Sequence, residues 1–347
     1  MAKVVFEETS YREVPESLKI SPVDDAWHPL KHPKYIEWWY FDVVSRDGSI
    51  VRGHFYISGN ISRSRGVRTG VRASYVKPDG TEIMIDERFP YSSFKASTEV
   101  CEVKIGNNFI EGDLSHYKLH VEDADKALDL ELDSNITGIT SRACFGDEKR
   151  YMYWVVPQPR GRAKGTLRTK EGTFTIEGVG YRDHNWLNFS PLDYIAYWDW
   201  GRIYDKEFTI IFADIVTSKK LERAEIKPLM IYDLSGFRYL TTVSNNWSLS
   251  KTGGRIDPDT KVEFPQRHLL KAGDGDVSLE IDLKLEKVFQ KIDPLADFNP
   301  VLRWLIRTFK AKPSITSFFS TGSGKLKLYG QENVLTCEAV HELVKNL

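Results

Sequence analysis

Short stretches in which apolar and polar side chains alternate every second residue, each closed by a tight-turn signal, recur along the chain and point to antiparallel β structure. In Ser49-Ile50-Val51-Arg52-Gly53-His54-Phe55-Tyr56-Ile57, after the turn Arg46-Asp47-Gly48, successive side chains fall on opposite faces, one buried and one wet. Arg72–Lys77 and Thr81–Ile85 flank Pro78-Asp79-Gly80, and Asp-Gly between alternating runs is a strong hairpin signal. Further strands are expected over 108–113, 116–122, 127–133, 173–178, 195–203, 207–216, 228–233, 240–249, 278–285 and 325–329. Such spacing suits meanders, barrels or sandwiches, not βαβ units. Aromatic residues make up 12% of the chain, and many sit in strand-like segments rather than at helical spacing, which strengthens the β bias. Helix is scarce. One is expected over Pro300–Phe309, with Asn299 as N-cap and Arg303, Arg307 and Lys310 on one face. It is read as packing on a barrel, with transient membrane contact as the alternative.

At 347 residues the chain has room for two domains. Tyr35-Ile36-Glu37-Trp38-Trp39-Tyr40-Phe41 and Tyr194-Ile195-Ala196-Tyr197-Trp198-Asp199-Trp200 share Tyr, Ile and Trp at an offset of 159, each followed by a polar turn and a second strand. They read as the same hairpin opening two halves, with the boundary near 187–192, so that residues 1–188 and 189–347 form successive units. A net charge of −1 gives no electrostatic case for nucleic acid or an anionic membrane. Three cysteines, Cys101, Cys144 and Cys337, far apart and outside any CxxC pair, argue for a reducing compartment. With an acidic start and no apolar run long enough for a signal peptide or a membrane span, a cytoplasmic location is expected.

The densest polar cluster among aromatics is Gly178-Val179-Gly180-Tyr181-Arg182-Asp183-His184-Asn185-Trp186. On an extended strand His184 and Trp186 share one face, and Asp183 and Asn185 the other. A buried, satisfied core histidine is the plainer alternative to a catalytic one. Asp214, in Phe208–Val216, shares a face with Phe212; a carboxyl on an apolar face has its neutral form favoured and becomes a candidate proton donor. Trp38, Trp39, Trp198, Trp200, Tyr40 and Tyr197 either fill a core or wall a ligand cavity, and their π-faces suit cationic intermediates. Glu37, Asp42 and Asp199 lie among them as further acids. GxGxxG, GxxxxGK[ST], HExxH and GxSxG motifs are absent from the sequence. The pairs His28/His32 and His116/His120 lack Cys or Glu partners at ligand spacing, so no metal and no cofactor is expected.

Glu37-Trp38-Trp39-Tyr40-Phe41-Asp42 resembles the EWWYF opening of the AttH-like and carotenoid 1,2-hydratase superfamily, and Tyr181-Arg182-Asp183-His184-Asn185-Trp186 resembles its mid-chain DHxW segment. The resemblance implies an all-β fold of two consecutive lipocalin-like antiparallel β-barrels, with the short helix near the C-terminus, and a hydrophobic ligand site between or inside them. That superfamily is similar to carotenoid hydratases and to fungal lipocalin-like Diels-Alderases. The hydratases use a His and a Trp of the mid-chain motif, matched by His184 and Trp186, and a Tyr and an Asp two apart, matched by Phe212 and Asp214. Phe212 lacks the hydroxyl, which disfavours carotenoid hydration itself.

The expected function is a cofactor-independent enzyme acting on an apolar isoprenoid or polyene. Asp214, linked to His184, protonates an alkene; Trp186, with Trp39 or Trp198, stabilises the cation; water or an internal alkene captures it. The candidate catalytic residues are Asp214, His184 and Asp183, and the candidate substrate-binding residues are Trp186, Phe212, Trp39, Trp198, Tyr181 and Trp38. A pericyclase that only orients its polyene, and a non-catalytic carrier of a lipid or pigment, are the alternatives. The sequence leaves oligomeric state open.

Overall fold

The computed structural model describes residues 3–63, 66–146, 149–256, 263–295, 299–309 and 313–346. Strands make up 64% of the structure. Both expected Asp-Gly turns close hairpins: Gly48 and Gly80 adopt φ of +82° and +88°, the left-handed region that glycine enters without a Cβ penalty.

The strands form two large antiparallel sheets. In the first, the central run of neighbours is Glu82–Phe89, Arg68–Val76, Ile50–Ser58, Ile36–Ser45, Gly172–Leu187, Tyr151–Thr169 and Ala127–Asp133, continuing to Phe94–Ala96. In the second it is Gly236–Thr241, Leu229–Asp233, Phe208–Thr217, Ile195–Tyr204, Gln331–Lys345, Ser314–Leu328 and Val277–Ile292, continuing to Trp247–Thr252. Each sheet curls around its own core. Trp39, Phe41, Phe55, Val103, Tyr117, Leu130 and Trp186 meet inside the first, although their strands lie far apart in the sheet order. Ile203, Phe212, Tyr239, Leu270, Ile281 and Ala339 do so in the second. The architecture is that of two consecutive lipocalin-like barrels.

A third core joins the barrels. Tyr40, Trp154 and Tyr181 from the outer face of the first sheet pack against Ile211, Ala213, Met230 and Tyr232 from the second. The strands at this junction are therefore buried on both faces: in Ile36–Ser45 every residue from Trp39 onward is buried. Charged clamps reinforce it. Arg202 donates to Asp42, both fully buried, and Arg52 pairs with Glu342 at 2.8 Å.

Several elements depart from the sequence reading. The expected strand 240–249 is two strands, Gly236–Thr241 and Trp247–Thr252, parted by a turn at Ser244–Asn246. Tyr151–Thr169 and Gln331–Lys345 are long strands that the reading passed over. The segment Ser10–Tyr11, expected in the first unit, pairs with Leu240 and Thr241 of the second sheet. The helix Pro300–Phe309 is present, but Val301, Trp304 and Leu305 are exposed, so the expected burial on a barrel does not extend to them; Lys310 lies outside the described residues. No helix among the described residues is long and apolar enough to cross a membrane.

Candidate functional site

Where the outer faces of the two sheets meet, they enclose a cavity of about 410 Å³. That size lies within the range of small-molecule sites. Three neighbouring strands supply one wall in register: Asp183 lies beside Tyr40 and Tyr40 beside His54, while Asn185 lies beside Trp38 and Trp38 beside Tyr56. Because side chains two apart share a face, both rows point toward the second barrel. Trp198, Trp200, Ala213 and Ile215 answer from the opposite wall.

The 159-residue offset pairs Trp39 with Trp198, but the structure pairs Trp38 with Trp198 across the cavity. A bulge between Ile195 and Tyr197 inserts one residue into the second hairpin, so the cavity-facing equivalents are 160 apart. The clamp residues Asp42 and Arg202 follow that same spacing.

Asp183 is the buried carboxyl in this wall. Burial against an apolar wall pushes its carboxyl up to about 7, against the pull of hydrogen bonds from Tyr181 and Trp154. Tyr181 Oη donates to Oδ2 at 3.0 Å, Trp154 Nε1 donates to the same oxygen at 3.2 Å, and Asn185 Nδ2 donates to Oδ1 at 2.9 Å. The indole reaches it from the position opposite Asn185, a diagonal step along the face that Asp183 shares. Near neutral pH the group is divided between acid and carboxylate, and three donors face the carboxylate form. Two strands away, His54 is held neutral: burial, with help from Arg72 and Arg52, brings it down to about 3. Beyond it the Arg52–Glu342 pair forms a charged end to an otherwise aromatic and aliphatic chamber.

Of the expected site residues, Asp183, Trp38 and Trp198 line this cavity, and Tyr181 stands behind it, bonded to Asp183 and packed on Trp200 at 5.3 Å. The expected shared chamber of His184 and Asp214 is not formed. His184, Trp186 and Trp39 point the other way, into the first barrel: His184 stacks on Trp39 at 4.7 Å and bonds Glu37 through Nε2 at 2.8 Å. Burial alone would lower the His184 pKa, but bonds to Asp25 and Glu37 outweigh it and hold the ring above its ordinary value. Arg182, bonded to both Asp25 oxygens, completes a closed ionic network. Asp214 and Phe212 point into the second barrel. Phe212 packs over Gly201, and Asp214 has its pKa raised by burial, partly offset by Lys251 at 3.8 Å. Strand parity alone separates these groups from the cavity. The sequence reading passed over His54, Arg52, Trp154 and Glu342, although the first two lie on the alternating face of a strand it did identify.

Among the described residues two sets have metal-ligand geometry, His28–Glu37–His184 and Asp199–His268–His341. In the first, Glu37 already accepts hydrogen bonds from Tyr35, the His28 backbone and His184. The second is taken up below.

No family model and no curated protein matches the sequence. Solved structures do match the fold. A candidate AttH protein from Nitrosomonas europaea superposes with a TM-score of 0.66 at 15% identity, covering 96% of this chain and 98% of that one. The chain has the fold of the AttH-like group. Kievitone hydratase from Nectria haematococca gives 0.58 at 14% identity over 96% and 98% of the two chains. CghA gives 0.57 at 12% over 99% and 98%, and has also been solved with Sch210972. At these identities the likeness establishes architecture, and the chemistry has to be argued from this chain's own residues.

Proposed function

We propose that this protein is a cofactor-independent enzyme that protonates an alkene of an apolar isoprenoid or polyene held between the two barrels, directing hydration or ring closure. The observation that carries the reading is a carboxyl brought to about 7, Asp183, in the wall of a chamber built mainly of indole, phenol and aliphatic side chains. Asp214, the acid expected from the sequence, is not in this wall, and the proposal rests on Asp183, which is. That a hydratase shares the architecture supports the class of reaction.

The Asp183 proton forms a C–H bond as the π bond breaks, leaving a tertiary carbocation. Trp38, Trp198 and Trp200 present π-faces to that charge, and cation–π attraction is strongest where water is excluded. Three hydrogen bonds steady the new carboxylate. Water then captures the cation and its surplus proton returns to Asp183, directly or through neutral His54; in ring closure an internal alkene captures the cation and a carbon-bound proton returns instead.

The test is Asp183→Asn, assayed on prenylated and linear polyenes in deuterated water. The wild-type product should carry one deuterium at carbon, and the variant should lose about 10²- to 10⁴-fold in turnover with folding intact. Unchanged turnover without deuterium uptake would assign catalysis to orientation alone, as in a pericyclase. Recovery of an unaltered ligand from both proteins would make it a carrier.

A further inference from the structure

We propose that the interior of the second barrel holds a site for a divalent late first-row metal ion of the Zn²⁺ class, with Asp199, His268 and His341 as ligands. The argument is independent of the alkene chemistry, since these residues face away from the inter-barrel cavity.

Three strands bring the set together: Asp199 from Ile195–Tyr204, His268 from Arg267–Asp274 and His341 from Gln331–Lys345. One donor atom from each lies within 4.8 Å of the others, and His268 Nε2 is 3.8 Å from Asp199 Oδ2. Ligands at 2.0–2.1 Å from a tetrahedral ion stand about 3.4 Å apart, so a small contraction closes the set.

The hydrogen bonding points to a missing partner. Asp199, His268 and His341 are all at most 1% exposed. Among the described residues neither ring nitrogen of His268 has a hydrogen-bond partner, nor does His341 Nδ1. Buried polar atoms are rarely left so. His341 Nε2 is already engaged with Ser320 Oγ at 2.8 Å, which orients the ring as an outer hydrogen bond orients a metal-bound imidazole. The Lys251 ammonium approaches Asp199 Oδ2 at 2.9 Å, while Oδ1 lacks a hydrogen-bond partner.

Lys251 completes the design. Its side chain is 24% exposed and lies 3.8 Å from Asp214, so it marks the route in from solvent and has a second carboxylate to move to. The ammonium balances Asp199 without metal and passes to Asp214 when an ion displaces it. Two imidazoles and one carboxylate favour Zn²⁺, Co²⁺ or Ni²⁺ over Mg²⁺ or Ca²⁺, which take oxygen shells. Three protein ligands leave a coordination position open. Local histidine spacing carries no trace of this set, which is drawn from three strands distant in the chain.

The full chain, stripped with a chelator, is titrated with Co²⁺ under visible absorption and with Zn²⁺ against a chromophoric chelator. One equivalent should bind with the d–d bands of low-coordinate Co²⁺. His268→Ala and His341→Ala should each weaken binding at least tenfold, and Lys251→Met should tighten it. His116→Ala/His120→Ala, a surface control, should leave it unchanged. As a readout that does not depend on the alanine variants folding well, Zn²⁺ should raise the melting temperature of the wild type and not of His268→Gln. Absence of a bound equivalent, absence of a Zn²⁺-dependent rise in the wild type, or binding lost with the surface pair instead would overturn the site.

Discussion

Asp183 and His184 are adjacent in sequence yet face two different solvents. His184 belongs to an ionic network inside the first barrel, where the Asp25 and Glu37 carboxylates face it and Arg182 pairs with Asp25. Asp183 has only neutral donors and an apolar chamber, so its proton is loosely enough held to be given away near neutral pH. If it is the acid, kcat/KM should fall tenfold per pH unit above about 7, and Tyr181→Phe, which removes a donor favouring the carboxylate, should move that limb upward; a limb that stays put would detach Tyr181 from the acid. The same group sets a stability trend. Its folded-state pKa exceeds the unfolded value, so the native state binds the extra proton and loses stability as pH rises from about 4 through about 7. A rise from 3.8 to about 7 corresponds to about 4 kcal/mol. Urea midpoints from pH 4 to 8 should show that decline, flattened in Asp183→Asn.

At the scale of strands, two-residue alternation showed which side chains travel together but not what each face would meet. His184 with Trp186, and Asp183 with Asn185, were paired correctly from sequence; that the second pair faces the ligand chamber follows only from the packing of one barrel on another. The bulge at Ile195–Tyr197 left no mark in the sequence, so Trp39 stood where Trp38 belongs. Gln331–Lys345 carries the same alternation, with Leu335, Cys337 and Ala339 inward and Thr336 and Glu338 outward, but Val334, an apolar side chain on the exposed face, breaks the pattern where it begins. Phe212, matched to a hydratase tyrosine, has a packing role on its strand. A Cβ on Gly201 would fall 2.4 Å from the Phe212 ring, with no backbone atom among its close contacts. Gly201→Ala should therefore cost about 1–3 kcal/mol in urea unfolding. Gly201→Ala/Phe212→Leu should recover part of it, whereas equal stability of the two variants would show that the ring is not what closes that position. Binding of an apolar dye in the inter-barrel cavity should not change, since both residues face the other way.

At the scale of the molecule, the proposed active site exists only while the barrels stay docked, and docking relies on charges sealed from water. Asp42 from the first sheet meets Arg202 from the second, with the guanidinium also lying 5.6 Å from the ring centre of Tyr181, a residue of the first sheet. Burial raises the Asp42 pKa even against that cation, so the carboxylate tolerates its position because Arg202 is there. Removing one partner leaves a buried charge alone, which costs more than a complete pair contributes. Arg202→Met should destabilise the protein by about 3–5 kcal/mol, and Asp42→Asn/Arg202→Met should regain most of that loss. Tyr40 donates to Asp42 at 3.2 Å and lines the chamber, so the single variant should also loosen the cavity wall and weaken binding of an apolar dye beyond what the double variant shows. Urea unfolding with dye titration on the three proteins reads both effects. A double variant no more stable than Arg202→Met would show that the guanidinium holds the barrels through its aromatic contacts, not through the carboxylate.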